Sequence, residues 1–260
     1  MFPLLVNAQI LSGIKKWNKK LKTQKIANRN IETIQKTNQF GNFFQSSQNQ
    51  NFNNLNYLGF GFFNNYLKLR TLKKWELQSE RSVQIGIESG PAFENPGGTL
   101  QYFQSKLWLK SPEKAITFGP TFKLLLNGRS NPAFQNNSIA LLSSINLGYA
   151  VSFKKKFEIL GSKFQFNSQI KVYPMALGFS APGYSSVFDN SNTSGFFLPH
   201  RYQHFQTSFY LNLPTGKRFV NRRYTISYNW NFANLALGQG RNLVFGNHQF
   251  GIIGYLNKIK

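Results

Sequence analysis

From Ser138 to Phe153 a large apolar residue falls at almost every second position. Ile139, Leu141, Ile145, Leu147, Tyr149, Val151 and Phe153 alternate with Ser138, Ala140, Leu142, Ser144, Asn146, Gly148, Ala150 and Ser152. A period of two means an extended strand with one apolar and one small or polar face. The same pattern sets Ile116, Phe118, Phe122, Leu124 and Leu126 against Thr117, Gly119, Thr121 and Lys123, and Phe164, Phe166, Ile170 and Val172 against Gln165, Asn167, Gln169 and Lys171. It returns in Phe205, Phe209, Leu211 and Leu213 against His204, Gln206, Ser208, Tyr210 and Asn212, and in the stretch RRYTISYNWNF, Arg222 to Phe232.

Counting on this basis predicts eight strands, at 82–90, 99–109, 115–126, 138–153, 163–175, 201–213, 219–233 and 243–258. Most reach the 9–11 or so residues that a tilted transmembrane strand needs, whereas strands of soluble sheets are typically about 5 or 6 long. The links alternate in length. KSPEK, the segment around Glu158 to Ser162, and PTGKR are short; GPAFENPGG, NGRSNPAFQNN, Ala176 to His200, and NLALGQGRN are longer. Bacterial outer-membrane barrels alternate tight periplasmic turns with longer external loops. The expected fold is all-β: a closed antiparallel up-and-down transmembrane barrel of about eight strands. Ten result if residues 55–77 pair as well, because Leu58, Phe60 and Phe62 alternate with Gly59 and Gly61.

The composition of the two faces orients the barrel. A soluble barrel carries abundant Lys and Glu outside, but here the polar face is Ser, Thr, Asn, Gln and Gly with single charges at Glu88, Lys123, Lys171 and Arg223. These four charges are therefore expected in the lumen, either as separate hydrated charges or with Glu88 pairing one of Lys123, Lys171 and Arg223. Tyr224, Ile226, Tyr228, Trp230 and Phe232 are expected to face lipid, Tyr224 and Trp230 as interfacial girdle residues. An eight-stranded lumen is only just wide enough to be filled by side chains, so no wide pore is expected.

The chain divides into 1–9, 10–54, 55–81 and 82–260. MFPLLVNAQ resembles the end of a secretory signal, with Val6-Asn7-Ala8 as a small-x-small cleavage pattern. Residues 10–54 form a basic, Asn/Gln-rich arm in which Lys15, Lys16, Lys19, Lys20, Lys22, Lys25, Arg29 and Lys36 face one acid, Glu32. Ile10, Ile14, Trp17 and Leu21 predict a short amphipathic helix within it. Residues 55–81 are a connector or extra strands, and 82–260 the barrel. No apolar run of about 18 residues is present to make a transmembrane helix.

The net charge of +23, from 31 Lys and Arg against 8 acids, suits anionic head groups or nucleic acid. No nucleic-acid-binding motif accompanies it, so anionic lipid is the expected partner, with other outer-membrane or periplasmic proteins as further partners. With no cysteine there is no disulfide, thiolate metal site or Cys nucleophile. The histidines are His200, His204 and His248 and the one aspartate is Asp189. His204 and Ser208 share a face but lie four residues apart on a strand, too far for a nucleophile–base contact. GQGRN, Gly238 to Asn242, lacks the Lys-Ser/Thr of a phosphate loop. No catalytic, cofactor-binding or metal-ligating set is expected.

The alternating strands, the Ala-Gln leader remnant, YPMALGFSAPGYSS at Tyr173 to Ser186 and FGNHQFGIIGYL near the end resemble small outer-membrane β-barrel proteins of the Bacteroidota, many without assigned activity. The resemblance covers roughly 82–258 and implies an outer-membrane structural or accessory component. In that role the long third loop would present Phe179, Tyr184, Phe188, Phe196 and Phe197 to an outside partner. The basic, Phe- and Asn-rich composition also resembles proteins of AT-rich organelle genomes, which gives an alternative of another class: an RNA-associated organellar (ribosomal-type) protein, mitochondrial in location. A lipid-modifying barrel enzyme is the second alternative, and it would rest on His204 and His248.

Overall fold

The computed structural model describes residues 31–49, 56–72, 74–89, 96–111, 114–130, 139–181, 193–199, 201–213, 224–238 and 241–259. They form eleven strands: β1 (Ile31–Asn49), β2 (Asn56–Leu72), β3 (Trp75–Ser89), β4 (Gly97–Lys110), β5 (Ile116–Ser130), β6 (Ile139–Ile159), β7 (Ser162–Ala181), β8 (Thr193–Phe197), β9 (Tyr202–Asn212), β10 (Tyr224–Gly238) and β11 (Arg241–Ile259). Each pairs antiparallel with its neighbours. β6 joins β7, β7 joins β9, and β11 returns to β1, so ten strands close a ring, and β8 is added to β7 alone.

The expected count of eight is therefore too low. All eight predicted strands are present as β3 to β7 and β9 to β11, and the two that complete the ring come from the segments assigned to the arm and the connector. Residues 31–49 of the arm are β1, in register with both β2 and β11. Their face is masked in the sequence because its inward positions mix Thr37, Gln39 and Gln45 with Phe43, all buried. The signal-like residues 1–9 and the helix expected at 10–21 lie outside the described residues.

Both chain ends of the ring lie at one end of the barrel, with the links β2–β3, β4–β5 and β6–β7. The last is a two-residue hairpin in which Leu160 and Gly161 both take positive φ, 49° and 73°, the geometry that matches strand twist. One link departs from the expected alternation. β10 and β11 zip up to Gly238 opposite Arg241, so NLALGQGRN is mostly paired strand, its backbone groups satisfied by the ladder. PTGKR lies outside the described residues, between Leu213 and Tyr224.

β8 and β9 share one position in the ring. β9 covers β7 from Gln165 to Tyr173 and β8 continues along it from Ala176 to Ser180. Between them the chain makes a turn at Leu198 to Arg201, where the Leu198 carbonyl accepts from the amides of both Arg201 and Tyr202 at 2.8 Å. The turn rotates Phe197 and Tyr202 into the barrel, where they are buried with Tyr173, Ala176 and Leu235. The expected long third loop is thus partly strand: β7 runs on to Ala181, and β8 satisfies its exposed edge.

Glycine makes room for aromatic rings inside the wall. Phe43, Gly61 and Gly86 are neighbours in register on β1, β2 and β3, and the Phe43 ring lies over both glycines. A Cβ on Gly61 would sit 2.2 Å from the Ile85 carbonyl oxygen and 2.8 Å from the Phe43 ring. Gly61→Ala is expected to destabilise the barrel by about 1–3 kcal/mol through overpacking, read as a lower midpoint of urea unfolding in detergent micelles.

Candidate functional site: the lumen and the outer wall

The two faces of the ring are sorted by polarity. Outward positions include Phe40, Phe44, Phe60, Phe62, Ile85, Phe118, Ile226 and Phe250, all exposed, with Phe62 at 72%. Inward positions are buried and mostly polar, such as Gln84, Asn146, Gln206, Ser208, Asn229 and Gln249. A soluble barrel has the reverse arrangement; a closed ring with its apolar face outward removes that face from contact with water only in a lipid phase. Tyr224 and Ile226 are on the exposed outer face, and Tyr228, Trp230 and Phe232 share it half-buried among their neighbours. Trp230 lies in the middle of β10, opposite His248, rather than at a strand end where a girdle residue belongs.

The lumen is crossed by ion pairs that radiate from β3. Glu76, Glu80 and Glu88 all point inward on that strand, and each meets a cation from the β5–β7 wall. Glu76 pairs with Lys154 at 2.9 Å, Glu80 with Lys171 at 3.5 Å and Glu88 with Arg129 at 2.7 Å. The last is the most elaborate. Arg129 Nε donates to both oxygens of Glu88 at 2.8 and 3.0 Å, Nη2 donates to Ser47 and to Glu88, and Gln45 Nε2 donates to Glu88 at 3.0 Å.

Of the charges expected inside, Glu88, Lys123 and Lys171 are there, and Arg223 lies outside the described residues. The partner of Glu88 is Arg129, and neither Lys123 nor Lys171. β5 runs four residues past the expected strand end at 126, and this brings Arg129, two turns of the pleat beyond Leu125, level with Glu88. Glu76, Glu80, Arg129 and Lys154 escape the alternation for a common reason: each sits on a strand end beyond the apolar run that marks the strand. The inward parity of Glu88 on β3, Lys123 on β5 and Ser152 on β6 identifies them once the strands are extended.

Lys123 differs from the other lumenal cations. Among the described residues no carboxylate lies within 4 Å of its Nζ. It is held instead by His204 Nε2 at 3.2 Å, by Gln206 Oε1 and Asn231 Oδ1 at 3.4 Å each, and by the face of Phe103, 4.5 Å from the ring centroid. His204 in turn shares a hydrogen bond of 2.9 Å with the Tyr202 hydroxyl. Together with Tyr173 these residues fill the middle of the lumen. Towards the end at which β1 starts and β11 finishes the lumen opens into a vestibule of about 860 Å³, lined by Thr37, Gln78, Lys154, Gln169 and Thr225 among others.

The histidines are divided between the faces. His204 is lumenal; His248 is on the outer wall, where its Nδ1 shares a hydrogen bond of 2.8 Å with the Tyr228 hydroxyl. His200 and Asp189 lie outside the described residues, as do Tyr184 and Phe188. Phe179 and Phe196 are strand residues of β7 and β8, Phe196 facing out and Phe197 plugging the lumen, so Phe197 is not presented to a partner. Among the described residues no group of three His, Asp or Glu is placed to hold a metal ion.

No protein-family model matches the chain. No curated protein matches it either. Solved structures do. The translocator domain of autotransporter NalP from Neisseria meningitidis aligns over 96% of this chain and 98% of its own, at 11% identity and a TM-score of 0.39. OpdH of Pseudomonas aeruginosa aligns over 89% of this chain and 100% of its own, at 8% identity and a TM-score of 0.17. OpdR of the same organism covers 86% and 96%, at 8% and 0.20. At such scores the orientation of the two faces rests on the geometry of this chain itself.

Proposed function

We propose that the chain is an outer-membrane β-barrel that serves as a structural or accessory component of the membrane, with a side-chain-filled lumen in place of a wide pore and with no enzymatic activity. The observation that carries this reading is a closed ten-stranded ring with an apolar outer face and a lumen tied across by three ion pairs. The resemblance of Tyr173 to Ser186 and of the last strand to Bacteroidota barrels supports a lineage of that kind. Membrane lipid is its principal partner, and an exposed residue such as Phe196 contributes to contact with a neighbouring protein.

The reading is tested by purification and gel migration. Detergent-dependent solubility and a shift in gel mobility on heating are the expected results; a monodisperse protein in plain buffer would overturn the reading. A charge placed on the outer wall reports the lipid contact. Ile226→Arg is expected to destabilise the barrel in bilayers by about 2–4 kcal/mol if the site is at mid-depth, and by less near an interface. Equal stability of this variant and the parent in phosphatidylcholine vesicles would exclude lipid at that face.

A further inference from the structure

The outer wall is not apolar throughout. On β2, β3 and β4, close to the end at which β1 starts and β11 finishes, the outward positions change from Phe60, Phe62, Ile85 and Leu100 to Lys68, Arg70, Arg81 and Lys106. These four cations line one groove of about 390 Å³, with Tyr66, Ser79 and Gln104 as polar neighbours. Lys36 on β1 stands directly across from Lys68, and the register continues through Ser79 to Lys106, so one row across four strands carries three lysines. The charged neighbours that act on Lys68 are Arg70, Lys36 and Arg81, all of its own sign. The acids of β3 that are described point the other way, into the lumen.

A cluster of like charges beside an apolar wall is self-repelling unless an anion sits in it. Resting on the membrane reading above, we propose that this groove seats the phosphate of an anionic phospholipid. The occupant has to be amphiphilic, because the groove borders the wall of Phe60, Phe62, Ile85 and Leu100, along which acyl chains lie. Arg70 and Arg81 supply planar, multiply donating groups suited to phosphate oxygens, and Lys68 and Lys106 supply point charges. The Ser79 hydroxyl and the Gln104 amide add neutral donors. An acidic protein segment would meet the charges but would leave the apolar border against lipid, with nothing to bind it.

Tryptophan emission tests the proposal directly, since Trp75 is exposed and Trp108 lies on the outward face of β4 next to Lys106. The full chain is folded into phosphatidylcholine vesicles in which either that lipid or phosphatidylglycerol is brominated. Quenching by brominated phosphatidylcholine establishes insertion; its absence would defeat the membrane reading itself. Given insertion, phosphatidylglycerol is expected to be preferred by roughly fivefold or more. The triple variant K68Q, R81Q, K106Q is expected to bring that ratio close to one, with quenching by phosphatidylcholine unchanged. The double variant K155Q, K163Q, at the same end on β6 and β7, is expected to keep the preference.

Insertion without preference would overturn the proposal, and so would equal loss in both variants, which would reflect bulk charge alone. Abolition of the preference by inorganic phosphate in solution would also overturn it, in favour of a site for the free ion.

Discussion

Glu88→Gln is expected to cost the barrel about 3–5 kcal/mol, the penalty for removing one partner of a buried ion pair. The substitution keeps the volume and leaves Gln45 an acceptor, but it takes away the charge that compensates Arg129. Three hydrogen bonds join Arg129 to this carboxylate. Without them the guanidinium keeps Ser47 and the face of Tyr57, whose ring centroid is 5.7 Å away. Urea unfolding in detergent, followed by tryptophan emission, would show the loss. Glu76→Gln is expected to cost less, because the Lys154 and Glu76 side chains are 23% and 11% exposed and water in the vestibule screens them. The double variant E88Q, R129M removes both charges and is expected to recover most of the stability. Additive losses in the double variant would show that the two residues act separately and that the cross-lumen tie contributes nothing.

The same ion pairs show how far the sequence reaches. Period-two alternation reveals β3 to β7 and β9 to β11 because each carries a run of large apolar residues on its outward face, such as Ile85 and Ile87 on β3 and Phe250 and Ile252 on β11. It missed β1 because that strand carries Asn42 between the outward Phe40 and Phe44, and a basic flank obscures its start. Strand ends were drawn where apolar residues stop, yet a barrel strand continues past the lipid belt. Glu76, Glu80, Arg129 and Lys154 all lie in those extensions. Their inward direction follows from parity alone, but which acid meets which cation depends on the register around the ring, and that is fixed by pairings between strands far apart in the chain. The broken strand formed by β8 and β9 was beyond reach for another reason. Nothing local in TSGFFLPHRY, Thr193 to Tyr202, tells that Phe197 turns inward while Phe196 faces out.

Opening the lumen is the second large effect. Barrel diameter grows with strand number, and about eight strands is where side chains only just fill the interior. Ten strands need larger fillers, and the largest fully buried side chains include Tyr173, Phe43, Phe103, Lys123 and His204. The parent protein is therefore expected to give no steady current in planar bilayers. The triple variant Phe103→Ala, Tyr173→Ala, Tyr202→Ala removes three rings from one level of the lumen and is expected to conduct. Ring truncations in a packed interior cost about 3–5 kcal/mol each, so the heat-dependent gel shift must first show that the variant folds. Charge then sets what passes. Among the described residues the buried lumen holds three carboxylates, Glu76, Glu80 and Glu88, against Lys123, Arg129, Lys154 and Lys171, while Lys156, Glu158 and Lys163 stand at the mouth of the vestibule. The three pairs are mutually neutralised, which leaves Lys123 as the uncompensated charge at the opened level. The current is expected to favour anions, and adding Lys123→Gln to the triple variant should remove that preference without reducing conductance. A folded triple variant that stays silent would mean that the backbone ring, and not its side chains, closes the lumen.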